Sequence, residues 1–134
     1  MHRFMYISTA TSYNDDNEMA SILRVSRRNN ARDDITGLLV KGGPRFLQVL
    51  EGPERAVRAT YQRILADPRH KAAVELIDEP CAERQFGDWA MGYEVGGLAG
   101  IDNNIRAVVA NLVDTIADRY LKAHFTSFAE LHAR

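Results

Sequence analysis

The chain has 134 residues, 46% of them hydrophobic and 26% charged, and its formal net charge at pH 7 is −1. This length and composition are typical of one globular domain with a packed core. The near-zero net charge argues against a general binder of nucleic acids or anionic membranes, and the single cysteine, Cys81, excludes an intramolecular disulfide and a thiolate metal cluster.

The first half of the chain alternates between strand and helix patterns. In RFMYIS the side chains of Phe4, Tyr6 and Ser8 share one face, as the two-residue repeat of a strand requires. The turn-rich stretch SYNDDNE precedes apolar residues at helical spacing, and KGGPR is a turn between two apolar runs that form a hairpin. The predicted elements are a strand in RFMYIS, a helix over about Asp16–Asn30, a strand over Ile35–Val40 and a strand in RFLQVLE.

The second half of the chain continues this alternation. Pro53 favours the start of a second helix and Pro68 ends it, because proline cannot continue the hydrogen-bond ladder. The apolar stripe of this helix is predicted at Val57, Tyr61, Ile64 and Leu65. The later elements are a strand over Ala72–Asp78, a strand over Trp89–Val95, an amphipathic helix within Asn103–Tyr120 and a short helical piece with Phe125 and Phe128.

The order of elements predicts the fold. Strands that alternate with helices favour an α/β (α+β) sandwich, and right-handed crossovers place both early helices on one face of the sheet. We therefore predict a ferredoxin-like βαββαβ sandwich with an added fifth strand, followed by C-terminal helices. The fold alone says little about function.

Three polar residues stand on the helix side of this predicted sandwich. Tyr6 lies between Phe4 and Ser8 on its strand face, Gln48 is flanked by apolar residues in RFLQVLE, and Asn30 ends the apolar stripe of the first helix. One interpretation is that these groups satisfy each other or the backbone, as buried polar groups usually do. The other is a planar polar ligand held between the helices in a mostly apolar pocket.

Other candidate sites are weaker. His70 has no Cys or second His at metal-ligand spacing, so no metal site is predicted. No glycine-rich phosphate loop and no convincing nucleophile with its base are present. Basic residues near the end of the second helix, including Arg63, His70 and Lys71, either complement the helix dipole or anchor phosphates.

An ordered set of motifs resembles the BLUF family, the sensors of blue light using FAD. The resemblance covers roughly residues 1–95 and follows the chain in order. The motifs are YIS at Tyr6–Ser8, NNARDDITGLL at Asn29–Leu39, FLQVLEGP at Phe46–Pro53, DPRH at Asp67–His70 and RQFGDWAMG at Arg84–Gly92. The resemblance implies a flavin-binding photosensor domain over 1–95 and a C-terminal helical cap or extension over 96–134.

The resemblance also implies roles for particular residues. FAD would lie between the two early helices, with Asn30 on the pyrimidine edge of its ring system and Gln48 beside flavin N5 and the C4 carbonyl. Tyr6 would be hydrogen-bonded to Gln48. The expected cofactor-binding residues are Tyr6, Ser8, Ile22, Asn29, Asn30, Gln48, Arg63, His70 and Lys71, of which the last three would neighbour the ribityl-phosphate tail. Trp89 and Met91 would relay the signal to the fifth strand.

The implied mechanism is photochemical rather than catalytic. Light would excite the flavin, Tyr6 would give up an electron and then a proton, and Gln48 would be left rotated or tautomerised. A new hydrogen bond to the C4 carbonyl would shift the flavin spectrum slightly to the red. We therefore expect a photoreceptor and not an enzyme, with two alternatives left open: a ferredoxin-like regulatory module that binds a small ligand, or a flavoenzyme.

The expected partner is a downstream signalling protein, or a second copy of the chain in a homo-oligomer, with no nucleic acid and no membrane. The N-terminal MHRFMYIS lacks the long apolar core of a signal peptide, and no segment approaches the roughly 20 apolar residues of a membrane span. A cytoplasmic location is the expectation.

Overall fold

The computed structural model of the protein describes residues 1–10, 16–42, 44–68, 70–86, 92–95 and 118–132. In chain order the elements are β1 (His2–Ala10), α1 (Asp16–Asp33), β2 (Thr36–Gly42), β3 (Arg45–Gly52), α2 (Glu54–Ala66), β4 (His70–Pro80), β5 (Gly92–Val95) and α3 (Arg119–His132). The order of strands and helices up to β5 is the one that the sequence predicts.

The strands form one five-stranded sheet in the order β4-β1-β3-β2-β5. β1 pairs antiparallel with both β3 and β4, β2 pairs antiparallel with β3, and β5 pairs parallel with β2. This is the predicted ferredoxin-like sheet with a fifth strand added beside β2, so the predicted fold class is confirmed.

Side chains alternate across the sheet and build one core on each face. The core under α1 and α2 consists of Phe4, Tyr6, Leu23, Ile35, Leu39, Phe46, Leu50, Val57 and Tyr61. The core on the opposite face, under α3, consists of Met5, Leu38, Val40, Leu47, Val49, Ile77, Phe86, Leu121, Phe125 and Phe128. The strands that hold Tyr6 and Gln48 are thus covered by helices on both sides, which is why every side chain of β3 after Arg45 is buried.

A glycine fixes the spacing between β2 and β3 next to Gln48. Gly37 lies opposite Leu50, and Leu39 lies opposite Gln48. A Cβ atom at Gly37 would stand 2.0 Å from the backbone oxygen of Val49. Any side chain at residue 37 would therefore push the two strands apart at the centre of the sheet.

The boundaries and one stripe residue differ from the expectation. β2 begins at Thr36 rather than Ile35, and β4 extends beyond the predicted Ala72–Asp78 at both ends, which is within the usual uncertainty of element ends. The sequence predicts Leu65 on the apolar stripe of α2, but this side chain is 46% exposed. Leu65 follows Val57 by eight residues, which places the two side chains about 80° apart around the helix axis. Leu65 therefore lies at the edge of the buried stripe.

Two predictions fall wholly or partly outside the described residues. The amphipathic helix within Asn103–Tyr120 lies there except for residues 118–120, and so does the first part of the predicted strand Trp89–Val95. The short helical piece with Phe125 and Phe128 is confirmed as α3, and both rings are buried against the sheet. The division of the chain at residues 95 and 96 stays a prediction.

Candidate functional site

The centre of the helix-side core is a pair of polar side chains on neighbouring strands. Tyr6 on β1 and Gln48 on β3 are direct cross-strand partners. The phenolic O–H of Tyr6 donates to Oε1 of Gln48. Tyr6 is fully buried and Gln48 is 7% exposed. A hydrogen bond in such a water-poor layer is directional and costly to lose, so the two side chains hold each other in one arrangement.

Aromatic rings surround the Tyr6 side of this pair. The ring centroid of Tyr61 on α2 lies 5.2 Å from that of Tyr6 and 4.3 Å from that of Phe4, both in tilted geometry. Burial raises the pKa of the Tyr6 phenol far above its ordinary value, and the negative charge of Asp67 and the phenol of Tyr61 add to the effect. Tyr6 is therefore a neutral hydrogen-bond donor throughout the physiological pH range.

The last turns of α1 bring a second amide to the same side of the sheet. Asn30 is 2% exposed and lies two helical turns after Leu23, a member of the helix-side core. Its backbone oxygen accepts a 2.8 Å hydrogen bond from the amide of Ile35, which ties the end of α1 to the start of β2. Asn29 is half-buried and Ile22 packs against the core from the same helix.

The structure brings Ser8 to the same face as Tyr6, two residues further along β1, where it is fully buried. The described side chains therefore place a phenol, a hydroxyl and two amides on the helix side of one sheet. Among the described residues, every buried side-chain nitrogen and oxygen has a hydrogen-bond partner. This donor and acceptor set can recognise a flat ligand edge that itself carries donors and acceptors.

The basic residues expected near a phosphate tail lie toward the outside of the sandwich. Arg63 is about half exposed, and its guanidinium donates to Oγ1 of Thr60 at 3.0 Å and to Oδ2 of Asp33 at 3.4 Å. Lys71 is exposed on β4 opposite Thr9 of β1. His70 pairs with β1 through its backbone, and its side chain is not among those described. Their role as phosphate contacts stays a prediction.

The proposed relay residues Trp89 and Met91 lie outside the described residues, so their role also stays a prediction. Within the described ranges, no group of three or more His, Cys, Asp or Glu side chains could hold a metal ion. None of the helices in the described part of the chain is both long and apolar enough to cross a bilayer.

Sequence reasoning missed a buried ion pair on the other face of the same two strands. Arg3 on β1 and Glu51 on β3 are cross-strand partners, and their side chains are 6% and 0% exposed. The sequence carries a hint of this pair, because Arg3 and Glu51 fall on the same strand faces as the apolar residues Met5 and Val49. The pairing could not be found without the strand register, which the sequence does not give.

Comparison with known proteins gives a family and several relatives. The family model described as BLUF, sensors of blue-light using FAD, matches residues 1–92. The photoactivated adenylate cyclase subunit beta of Euglena longa is 34% identical over 93 residues, which are 68% of this chain and 11% of that protein. The blue light- and temperature-regulated antirepressor BluF of Escherichia coli (strain K12) is 38% identical over 74 residues, which are 55% of this chain and 18% of that protein.

Solved structures extend the similarity to the three-dimensional fold. The dark-state structure of BlrB, described as a BLUF protein, matches with a TM-score of 0.75 at 28% identity, over 97% of this chain and 96% of that one. A bacterial light-regulated adenylyl cyclase matches with a TM-score of 0.71 at 30% identity, over 100% of this chain and 40% of that one. The chain thus spans less than a fifth of the length of these two curated relatives, whose names pair light with an adenylate cyclase and with an antirepressor.

Proposed function

The chain belongs to the BLUF family of blue-light sensors that use FAD, and from this premise we propose that Tyr6 and Gln48 form its light-driven hydrogen-bond switch. The chain matches the cyclases only over their BLUF region. That region senses light, and the catalytic domains of the cyclases are separate from it. The observation that carries the proposal is the buried Tyr6–Gln48 hydrogen bond at the centre of the helix-side core.

The residues present fit a flavin by the chemistry of their donors and acceptors. The pyrimidine edge of the flavin ring system carries both carbonyl oxygens and an N–H, and an amide offers an acceptor and two donors to such an edge. Asn30, with Asn29 beside it, would hold that edge from α1, while Gln48 and Ser8 would face the ring from the sheet and Ile22 would pack on it. Arg63, His70 and Lys71 would neighbour the phosphates.

When bound, FAD supplies the absorption of blue light and reversible redox chemistry. We assign Tyr6 as the donor of an electron and a proton. Because burial raises its pKa, Tyr6 keeps its proton in the dark and presents it to Oε1 of Gln48. The hydrogen bond therefore defines where that proton can go.

Gln48 is the residue whose side chain has two stable hydrogen-bonding arrangements. An amide has chemically different ends, with an oxygen that accepts and a nitrogen that donates. If the amide rotates by about half a turn or tautomerises, its donor group faces Tyr6, whose oxygen must then accept instead of donate. A carboxylate or an apolar side chain at residue 48 has no such second arrangement. Trp89 and Met91 would pass the change to β5.

The output that we propose is a protein–protein contact. The signal would pass to a downstream signalling protein or to a second copy of the chain in a homo-oligomer, in the cytoplasm. The names of the relatives support this, because they join light sensing to the control of an effector. A binding assay with candidate partners, in the dark and under blue light, identifies the effector that responds to this chain.

An absorption spectrum before and after illumination tests the proposal. The purified protein, supplied with FAD, should show flavin absorption that shifts to the red under blue light and returns in darkness. Absence of bound flavin would favour a small-ligand module instead. Bleaching of the flavin band on illumination with a reductant, without a red shift, would favour a flavoenzyme. Either result would overturn the proposed switch.

A further inference from the structure

The two strands that hold the switch also hold a buried ion pair on their opposite face. Tyr6–Gln48 and Arg3–Glu51 are both cross-strand pairs of β1 and β3, three residues apart along each strand. An odd spacing puts them on opposite faces of the sheet. The Arg3 guanidinium contacts the Glu51 carboxylate at 2.9 Å through both Nε and a terminal nitrogen. A shift of β1 against β3 at one pair therefore displaces the other.

The Glu51 carboxylate also holds the segment that follows β4. Its oxygens accept hydrogen bonds from the backbone N–H of Gln85 at 3.0 Å and of Phe86 at 2.9 Å. Arg84 also anchors this segment, because its guanidinium donates to Oγ1 of Thr36 at 2.8 Å and to the backbone oxygen of Glu51 at 3.1 Å. Hydrogen bonds to a fully buried charge are short and directional, so the carboxylate fixes these amides relative to β3.

Arg3 extends the connection to the C-terminal helix. A terminal nitrogen of Arg3 lies 3.4 Å from Oδ2 of Asp118, and another donates to the backbone oxygen of Glu83 at 3.3 Å. Asp118 is the N-cap of α3, because its Oδ1 accepts from the backbone N–H of Tyr120 at 2.9 Å and of Leu121 at 3.1 Å. One carboxylate thus caps α3 with one oxygen and meets Arg3 with the other.

We propose that Arg3 is a positioning residue that couples the switch strands to the start of α3, through Glu51 on one side and Asp118 on the other. This inference rests on the proposed function. The planar guanidinium can meet two carboxylates at once in fixed directions, so it converts a small displacement between β1 and β3 into a changed contact at the cap. The changed contact acts on the first turn of α3, because the backbone N–H groups of Tyr120 and Leu121 donate to Asp118.

Two variants separate coupling from capping. Asp118→Asn keeps an oxygen that caps the helix but removes the negative charge that faces Arg3. Arg3→Lys keeps the positive charge beside Glu51 and leaves the cap untouched, but lysine lacks the fork that reaches both carboxylates. Glu83→Gln is the matched control, since it removes a neighbouring negative charge while Arg3 bonds only the backbone oxygen of that residue.

The measurement is hydrogen exchange of single amides in the dark and under blue light, on the full chain with FAD bound. In the wild type, the exchange of the Tyr120 and Leu121 amides should change on illumination. Asp118→Asn and Arg3→Lys should lose that change and keep the red shift of the flavin spectrum. Glu83→Gln should behave as the wild type.

Two results overturn the inference while the proposed function stands. One is a red-shifting wild type in which the Tyr120 and Leu121 amides do not respond to light. The other is a full response of these amides in both Asp118→Asn and Arg3→Lys. Absence of a red shift in the wild type itself overturns the proposed function, and this inference with it.

Discussion

The chemistry of the site depends on single atoms at residue 6 and residue 48. Tyr6 and Gln48 meet because period-2 alternation puts both on the helix face and because the register of β1 and β3 makes them opposite neighbours. The alternation can be seen in the sequence, whereas the register can be seen only in the folded sheet. A sequence argument could therefore identify both residues as buried polar groups but could not pair them without the family resemblance.

Removing one oxygen from Tyr6 tests its part in the switch. Tyr6→Phe keeps the ring packed against Tyr61 but removes the O–H that donates to Gln48. We expect flavin to remain bound and the red-shifted state to be lost, as measured by absorption spectra before and after blue light. Tyr61→Phe, which removes the other phenol of the same cluster, is the control and should still shift. A normal photocycle in Tyr6→Phe would contradict its role.

Asn30 should act on binding rather than on the switch. If Asn30 holds the pyrimidine edge of the flavin as proposed, Asn30→Ala leaves that edge without its partner, which costs roughly 1–3 kcal/mol and weakens the affinity by roughly 5- to 150-fold. Equilibrium titration of the apoprotein with FAD measures this loss. Gln62→Ala, which removes an exposed amide from α2, should leave the affinity unchanged. Equal affinity in Asn30→Ala would argue that Asn30 does not touch the ring.

At the scale of elements, a charged network joins β1, β4 and α2, in which His2 is buried while Asp78 and Arg58 reach the surface. Nε2 of His2 lies 2.5 Å from Oδ1 of Asp78, and Arg58 donates to both oxygens of that carboxylate at 3.0 and 3.2 Å. Arg58 also pairs with Glu54 one turn earlier in α2. The Arg58 guanidinium, with His2 as a second partner, holds the pKa of Asp78 below its ordinary value.

This lowered pKa predicts an acid-dependent loss of stability. Asp78 stabilises the fold at pH values above its unfolded pKa of about 3.9, and the contribution disappears as the pH falls through the lower folded pKa. Asp78→Asn should therefore lose less of its free energy of unfolding between about pH 5 and pH 2 than the wild type does. Urea unfolding across this range measures it. Parallel curves for the two proteins would show that Asp78 is not perturbed.

The elements themselves could be predicted well because their apolar periodicities differ. Strand β3 is a short, nearly continuous apolar run that is buried on both faces, whereas α2 follows the helical repeat, with Val57 and Tyr61 buried as expected. The misplaced Leu65 shows the limit of that reasoning, because the width of a buried stripe depends on how the helix meets the sheet. The partners of Arg3, spread over β3 and the N-cap of α3, could not be predicted at all.

At the scale of the whole molecule, the sheet separates two cores, one on each face, to which we assign different roles. The helix-side core contains the candidate flavin site, while the core under α3 is apolar and lies on the same face of the sheet as the buried Arg3–Glu51 pair. Phe125 is fully buried there, and its ring lies 5.9 Å from that of Phe86 in edge-to-face geometry. Stability and photochemistry should therefore respond to different substitutions.

Shortening one side chain in the core under α3 tests whether stability and photochemistry are separable. Phe125→Ala should lower the free energy of unfolding by about 3–5 kcal/mol, through lost burial and the cavity left behind. The size of the red shift should not change in the fraction that remains folded. Urea unfolding and absorption spectra measure the two effects, with Tyr120→Ala as the control, because that ring is 83% exposed. Loss of the red shift in folded Phe125→Ala would show that the two cores are not separable.

The central claim is that the amide of Gln48 changes its hydrogen bonding when light is absorbed. The most direct test is the light-minus-dark infrared difference spectrum of protein labelled with isotopically heavy glutamine, of which the chain has three residues, at positions 48, 62 and 85. We predict label-sensitive amide bands that persist in Gln62→Glu and Gln85→Glu and vanish in Gln48→Leu. A protein whose visible absorption shows the flavin red shift, but whose infrared difference spectrum has no band sensitive to the label, would contradict the account.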